Sequence, residues 1–262
     1  MTITWSALAP HPPIILQEIG LERCLEVNKT ITSMKALAQD FIKRKCDLLI
    51  VLSPHTYRPS RGICTWSTPN IKGDFSPFGH PELNFEIKND CSWITSFIES
   101  YPATHFINDE KLDHGALVPL SFFIQAGWSG PTVVLGLPWN ESEHSHIARA
   151  IIRNSKERNR IGLLASGDMS HCLKRGAPSG YDPAGAEFDN AFALQVENGN
   201  FNKALSRGRK LRTDACEDVV GSCEITWNAT HFNHTNHKFY SYEGPFGVGY
   251  TVARFHVLED EE

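Results

Sequence analysis

The sequence predicts a single α/β domain, built on a mostly parallel or mixed central sheet with helices on both faces. Short continuous apolar runs, such as DLLIVLS at 47–53 and IGLLASG at 161–167, have the composition of strands that are buried on both faces. Between such runs lie segments whose apolar residues recur every three or four positions, as in amphipathic helices. Strand–helix–strand repeats of this kind form sheets that are covered by helices.

The elements of the first hundred residues follow from these two periodicities. In the first helical segment one face carries a regular apolar series, which consists of Cys24, Val27, Ile31, Met34, Ala38 and Phe41. Asp90 stands where a cap of the following helix is expected. In order, we expect a strand at 2–9, a helix at 21–45, a strand at 47–53, a loop rich in Gly, Pro and Asn at 57–90 and a helix at 91–100.

The remainder of the chain continues the alternation and closes with a hairpin. We expect an apolar helix at 115–127, a strand at 131–137, an amphipathic helix entered at Ser142, a strand at 161–167, two or three helices between 183 and 232, and a hairpin at 238–257 that turns near Pro245. A length of 262 residues suits one domain of this class over 1–262, and the acidic tail at 258–262 is expected to fray.

Composition excludes several classes of protein. A formal net charge of −5, without a long basic run, argues against nucleic acid or a membrane surface as the main partner. No apolar run approaches the roughly 18 residues that span a bilayer, and the N-terminus lacks the basic region of a signal peptide. Seven cysteines without a C-x-x-C pair fit a reducing compartment. We therefore expect a cytoplasmic protein.

Two histidines follow predicted strands in the same sequence context. His11 ends the segment TITWSALAPH and His55 ends DLLIVLSPH, so that each comes after an apolar run and a proline. The carboxyl ends of parallel strands form the edge of the sheet at which ligands bind. If the two strands are neighbours, their ends lie about 5 Å apart, and two imidazoles there can reach one ion.

Two further histidines are expected at the same edge. His114 follows Asp113 at the start of an apolar helix, and His171 follows Asp168 and a buried strand. A single histidine at such a position is more often an ordinary polar residue than a ligand, but four together favour a functional site. The remaining histidines, His144, His146, His231, His234 and His237, fit a polar helix start and a solvated loop better than a metal site.

A carboxylate would complete the set of two histidines and one acid that binds Fe(II) and leaves positions open for substrate and O₂. Glu217, Glu224 and Glu243 are the candidates. A helix entered at Thr213 or Asp214 would place Glu217 and Glu224 on one face but about 10 Å apart, so one ion cannot take both. Taken alone, Glu217 also fits an ordinary acid near a helix N-terminus.

Together these segments resemble a known family. The motifs APHPP, LSPH, LDHGALVPL, SGDMSH, YDPAGAEFD and GPFGVGYTVARF extend over nearly the whole chain. They are similar to those of the class III extradiol ring-cleaving dioxygenases, such as the protocatechuate 4,5-dioxygenase β-subunit and the 2-aminophenol 1,6-dioxygenase catalytic subunit. The resemblance implies an oxidoreductase of aromatic catabolism that inserts both atoms of O₂ into a catechol or aminophenol ring and opens it.

The resemblance also implies the site residues. Non-haem Fe(II) would be bound by His11, His55 and Glu217, with Glu224 and Glu243 left open as alternatives. His171 would be the acid–base residue, and His114 would line the pocket and hydrogen-bond oxygen or substrate. Members of the family also suggest a homodimer or a heteromer with a related subunit.

Two other readings stay open from the sequence. Memo-like proteins are similar in fold without established ring cleavage, so a metal-binding or non-catalytic binding protein is one alternative. A zinc-dependent hydrolase on a similar sheet is another. In the loop at 57–90, the cations Arg58, Arg61 and Lys72 hint at an acidic group on the substrate, although solvated surface charge is their ordinary reading.

Overall fold

The computed structural model describes residues 3–258, without the side chain of residue 157. Its strands are β1 (Ile3–Ala9), β2 (Leu48–Ser53), β3 (Ile63–Thr65), β4 (Asn70–Phe75), β5 (His80–Lys88), β6 (Thr104–Phe106), β7 (Thr132–Gly136), β8 (Ile161–Ser166), β9 (Lys238–Glu243) and β10 (Tyr250–Val257). Its α-helices are α1 (Gln17–Gly20), α2 (Asn28–Lys43), α3 (Cys91–Ser100), α4 (His114–Gln125), α5 (His144–Asn154), α6 (Pro183–Glu197), α7 (Phe201–Ala215) and α8 (Val219–Ala229). The acidic tail predicted at 258–262 lies almost entirely outside the described residues.

One eight-stranded mixed sheet organises the fold, in the order β6-β3-β7-β2-β8-β1-β10-β9. Its four central strands, β7, β2, β8 and β1, run parallel to one another. The strands β10 and β9 join antiparallel at one side, and a separate hairpin pairs β4 with β5. The prediction of an α/β fold with a mixed central sheet is confirmed.

Alternate residues of the central strands pack on opposite faces of the sheet. In β2, Leu49 and Val51 belong to the apolar cluster under α2 and α4, whereas Ile50 and Leu52 belong to the cluster under α3 and α5. Helix α8 and the pair α6 and α7 cover the other end of this second face. Both faces are therefore buried, as the uninterrupted apolar composition of the strands indicates.

Strands β1 and β2 are not neighbours, because β8 lies between them and pairs in parallel with both. The sequence gives no information on this order, since every central strand is equally apolar. The three strands nevertheless end at the same edge, because Ala9 pairs with Ser166 and Leu52 pairs with Ala165. We call this edge, at the carboxyl ends of β1, β8, β2 and β7, the rim.

Several element boundaries differ from the predicted ones. The helix expected over 21–45 begins as a 3₁₀ segment at Leu21–Val27 and becomes α-helical only at Asn28–Lys43. The region 57–90, expected to be a loop, contains the short strand β3 and the β4–β5 hairpin. The helix expected from 142 starts as the 3₁₀ turn Glu141–Glu143 before α5.

Other expectations are met closely. The carboxylate of Asp90 accepts a hydrogen bond from the backbone N–H of Trp93 and so caps α3 as expected. Three helices lie between 183 and 232, and the final hairpin turns between β9 and β10. Within residues 3–258, no helix combines the length and the apolar character that crossing a membrane requires.

Candidate metal centre

Three of the four predicted histidines form a cluster at the rim, which we call the histidine cluster: His11, His55 and His114. The ring centroids of His11 and His55 lie 4.7 Å apart, and those of His55 and His114 lie 4.2 Å apart. The ring of His11 stands at 88° and 80° to the other two. Each imidazole offers one ring nitrogen, and these three atoms lie within 4.8 Å of one another.

His11 follows β1 and its side chain is buried, with 1% of its surface exposed. Its Nδ1 lies 2.8 Å from Oγ of Ser166, the last residue of β8. The single hydroxyl proton of Ser166 is donated to the carbonyl oxygen of Gly115, so this Oγ accepts from His11. In the neutral ring the proton therefore sits on Nδ1, and the lone pair is on Nε2, a buried atom that has no hydrogen-bond partner.

His55 and His114 are held together through Asp113, the N-cap residue of α4. The Asp113 carboxylate accepts hydrogen bonds from Ser53 Oγ at 2.7 Å and Thr56 Oγ1 at 2.5 Å, on either side of His55. It also accepts one from the backbone N–H of Ala116. This one side chain therefore joins the end of β2 to the start of α4 and fixes the position of both histidines. The hydrogen bonds that the Asp113 carboxylate accepts come from hydroxyl and backbone N–H groups.

Asp218 supplies the carboxylate of the cluster. Its Oδ2 lies 3.0 Å from Nε2 of His55 and 3.4 Å from Nε2 of His11. Its Oδ1 accepts a hydrogen bond of 2.7 Å from the backbone N–H of Asp168, which follows β8. One oxygen is thus anchored to the end of a central strand, while the other is directed at two imidazoles.

Glu217, the carboxylate predicted from the resemblance, lies elsewhere. Its Oε1 forms an ion pair of 2.7 Å with Arg212, and its Oε2 accepts from the backbone N–H of Val220. The structural reason is the position of the helix start. The helix predicted from Thr213 or Asp214 begins only at Val219, so Glu217 caps α8 and Asp218 faces the histidines.

The two alternative glutamates also have other partners. Glu224 is buried inside α8, where it bonds His144 Nδ1 at 3.1 Å and pairs with Arg209. Glu243 lies at the end of β9 and accepts from the backbone N–H and the hydroxyl of Thr30. His144, expected in a polar helix start, is therefore buried and hydrogen-bonded to a carboxylate.

His171 follows β8 on the segment that also carries Asp168. Its backbone N–H donates to Ala215, and its Nδ1 is a buried atom without a hydrogen-bond partner. The Asp168 carboxylate accepts from the backbone N–H of His11 at 2.8 Å. Burial raises the pKa of Asp168, and the nearby imidazoles of His11 and His171 act against this rise. His171 is thus close to the same carboxylate that positions His11.

The electrostatics of the cluster favour a cation. Burial by itself lowers the pKa of His11, but the carboxylates of Asp168 and Asp218 outweigh it and raise that pKa to about 9. The Asp218 pKa stays well below its usual range, because His11 and His55 outweigh the effect of burial. Burial, with the charges of His55 and His11, lowers the pKa of His114 to about 3. Positive charge is therefore stabilised between His11 and Asp218, and His114 is neutral.

The arrangement fits a divalent transition metal. Donor atoms that share one ion at bonds of roughly 2.1 Å stand about 3 Å apart when the bonds meet near a right angle. The spacings of 3.0 Å and 3.4 Å from Asp218 Oδ2 to the two Nε2 atoms match this value. In the neutral ring, the buried Nε2 of His11 is the kind of donor that an ion would use, and an ion bound there would take the place of the proton.

An aromatic ring borders the cluster on the solvent side. Phe78 lies in the turn between β4 and β5, and its ring centroid is 5.4 Å from that of His114 at an angle of 71°. This side chain is 38% exposed. The hairpin in the region 57–90 therefore reaches the cluster.

Reasoning from the sequence missed Asp218, although a signal was present. An aspartate directly before an apolar run such as VVGSCEITW is a typical N-terminal boundary of a helix. Placing the start of α8 there would have separated the roles of the two adjacent acids. Cys216, which adopts a left-handed conformation with φ of 52°, ends α7 and makes this break possible.

Comparisons with known proteins agree with the geometry. The profile of the family described as "catalytic LigB subunit of aromatic ring-opening dioxygenase" matches residues 6–253. Protein CA_C1420 of Clostridium acetobutylicum is 28% identical and is matched by 100% of this chain, which spans 59% of the length of that relative. Among solved structures, the uncharacterized protein JW3007 of Escherichia coli K12 has a TM-score of 0.65 at 14% identity, covering 96% of this chain and 99% of that one. The last similarity concerns the fold alone.

Proposed function

Because the chain belongs to the family of catalytic LigB subunits of aromatic ring-opening dioxygenases, we propose that it is a non-haem Fe(II)-dependent extradiol dioxygenase. Its substrate would be an aromatic diol or aminophenol, which it opens with O₂. The observation that carries the proposal is the convergence of His11, His55 and Asp218 on one point at the rim. Two histidines and one carboxylate are the ligand set of Fe(II) oxygenases.

We propose Asp218 as the carboxylate ligand in place of Glu217. The carboxylate of Asp218 is directed at both imidazoles, whereas that of Glu217 is engaged by Arg212 and by the start of α8. Ser166 supports the assignment, since it holds the proton of His11 on Nδ1 and leaves Nε2 for the ion. A ferrous ion bound there would act as a Lewis acid toward the substrate hydroxyls and would offer open coordination positions for substrate and O₂.

The other histidines carry the remaining chemistry. His171 would accept a proton from a substrate hydroxyl and later return one, since imidazole exchanges protons near neutral pH. His114, which is neutral in the protein, would donate a hydrogen bond to the negative charge that develops on oxygen. Phe78, whose ring lies against His114, would exclude water from this side of the site.

The test combines oxygen consumption with product analysis. The protein is loaded with Fe(II) without air, and O₂ uptake is followed with catechol, 3,4-dihydroxybenzoate and 2-aminophenol. We expect substrate-dependent uptake and a ring-opened product that contains both atoms of labelled O₂. An iron-loaded protein that binds these compounds without consuming O₂ would refute ring cleavage and leave a non-catalytic binding protein, which is the Memo-like alternative.

The third imidazole supports a second candidate. Three histidines with one open position form the ligand set of catalytic zinc sites, and His114 is within reach of the other two. A zinc-dependent hydrolytic reaction would then use the same centre. His114→Ala separates the two candidates, because zinc held by three imidazoles should be lost in this variant, whereas iron held by His11, His55 and Asp218 should be retained.

A further inference from the structure

Arg58 lies on the segment that follows His55 at the rim. The backbone N–H of Trp139 donates to the carbonyl oxygen of Pro59, so the segments after β2 and β7 pack together at the rim. The Arg58 guanidinium lies over the ring of Trp139, 4.0 Å from its centroid, and its Nη2 donates to the carbonyl oxygen of Pro138 at 2.9 Å. Two contacts to the same segment therefore hold a planar cation in a fixed orientation.

This cation lacks a carboxylate partner within the described part of the chain. The Nε atom of Arg58 is buried and has no hydrogen-bond partner there. Its neighbour Arg212 differs, because it pairs with Glu141 at 2.5 Å and with Glu217 at 2.7 Å. A buried donor without a partner is unfavourable in the free protein, and a ligand that supplies an acceptor removes this cost.

The charges around the centre act on Arg58. Burial and the charge of Arg212 lower its pKa, and the carboxylates of Asp218 and Glu217 act in the opposite direction. The proposed ligand Asp218 and the unpaired guanidinium therefore share one environment.

The other two cations of the region 57–90 are different. Arg61 is exposed, and Lys72 is exposed on β4 and lies 3.9 Å from Glu86. Both therefore fit solvated surface charge. Of the three cations that hinted at an acidic substrate, Arg58 is the half-buried one.

We propose that Arg58 recognises a carboxylate substituent on the aromatic ring of the substrate, and that the cation–π contact with Trp139 holds the guanidinium in place. The inference rests on the proposed function, since it takes the metal centre as the place where the diol binds. Guanidinium and carboxylate groups match in shape and form two parallel hydrogen bonds. The preferred substrate would be a dihydroxybenzoate-type compound rather than a neutral catechol.

The experiment compares two ligands of similar size that differ in charge. Anaerobic titration calorimetry with the Fe(II)-loaded protein gives the Kd of 3,4-dihydroxybenzoate and that of 4-methylcatechol. We expect the acid to bind about 10- to 100-fold more tightly, as one charge-assisted pair of hydrogen bonds provides. In Arg58→Gln this ratio should fall to about one, and in Arg58→Lys to an intermediate value. Arg61→Gln, on the same segment, is the matched control and should keep the ratio of the unaltered protein.

Each result has one meaning. Equal Kd values in the unaltered protein, or a ratio that Arg58→Gln leaves unchanged, would overturn the inference. Circular dichroism of each variant excludes unfolding as the cause of a lost preference. If the preference depends on Arg58 but no O₂ is consumed, the carboxylate site stands and the proposed dioxygenase function fails. If O₂ is consumed without any dependence on Arg58, the function stands and this inference fails.

Discussion

The Nε2 atom of His55 lies 3.0 Å from Oδ2 of Asp218, although the two residues are 163 positions apart in the chain. The contact joins the end of β2 to the start of α8. Asp218 is kept in place by the backbone N–H of Asp168, which binds its other oxygen at 2.7 Å. The centre is therefore assembled from chain segments that meet only at the rim, and each of them is fixed by a bond to a strand end.

Removing the hydroxyl of Ser166 should weaken metal binding. In Ser166→Ala the proton of His11 is no longer held on Nδ1, because the acceptor at 2.8 Å is lost. We expect the Kd for Fe(II), measured without air, to rise about 10- to 100-fold. Ser121→Ala is the control, since this buried hydroxyl donates only to the carbonyl oxygen of Leu117 within α4. An unchanged Kd in Ser166→Ala would remove Ser166 from the account.

Replacing His171 should separate metal binding from turnover. In His171→Ala we expect bound iron to remain, because the proposed ligands are intact, and kcat to fall about 10²- to 10⁴-fold through loss of acid–base assistance. Iron content and O₂ uptake are measured on the same sample. The exposed His146 offers a control, and His146→Ala should keep both values. Near-normal turnover in His171→Ala would show that another group moves the proton.

Gly167 allows β8 to approach the start of α8 closely. A Cβ atom added there would stand 2.4 Å from Cα of Val219, the residue after Asp218. In Gly167→Ala the helix must shift, and we expect loss of iron together with a loss of about 1–3 kcal/mol in the free energy of unfolding. Urea unfolding and iron content provide the two measurements.

The control lies on the same helix. At Gly221 the added Cβ would be 3.3 Å from Cε1 of His144, a contact that a small movement of the side chain relieves. Gly221→Ala should therefore keep its iron. If Gly167→Ala binds iron as the unaltered protein does, the close approach is not what positions Asp218.

The cap of α3 should give a stability that depends on pH. Burial raises the pKa of Asp90, but hydrogen bonds from Trp93 and Ser92 and the ion pair with Arg158 outweigh this and lower it below the ordinary value of 3.8. Since the folded state favours the carboxylate, the stabilisation is complete at pH values well above 3.8 and disappears as the pH falls below it. At pH 7, Asp90→Ala should lower the free energy of unfolding by about 1–2 kcal/mol.

The decisive readout is the pH dependence of this difference. Denaturant unfolding of the unaltered protein and of Asp90→Ala at pH 7 and at pH 3 should show the gap becoming smaller at the lower pH. The exposed Asp109 is the control, and Asp109→Ala should change the free energy little at either pH. A gap of constant size would mean that the charge of Asp90 does not contribute.

The sequence predicts most of the fold and the two Pro-His positions, for clear physical reasons. The spacing of apolar residues along the chain reflects which side chains of a strand or helix are buried, so it can be read from the sequence. His11 and His55 could be placed at one edge because parallel strands end together. The two rings lie together even though β8 separates β1 from β2, because they converge across the end of β8.

The carboxylate could not be chosen in the same way. Glu217 and Asp218 are adjacent, so a shift of the helix start by a few residues exchanges their roles. Periodicity locates such a boundary poorly, because α8 is buried at nearly every position and has no alternation of polar and apolar residues that would mark its start. The distinction depends on long-range contacts, namely Arg212 for Glu217 and the backbone of Asp168 for Asp218.

The most direct test of the centre is the iron content of two adjacent variants after anaerobic loading and removal of free metal. Asp218→Asn keeps an oxygen for the backbone of Asp168 but loses the negative charge at the histidines, whereas Glu217→Gln changes the neighbouring acid. We expect about one iron per chain in the unaltered protein and in Glu217→Gln, and little or none in Asp218→Asn. Iron retained in Asp218→Asn but lost in Glu217→Gln would show that Glu217, and not Asp218, is the carboxylate ligand.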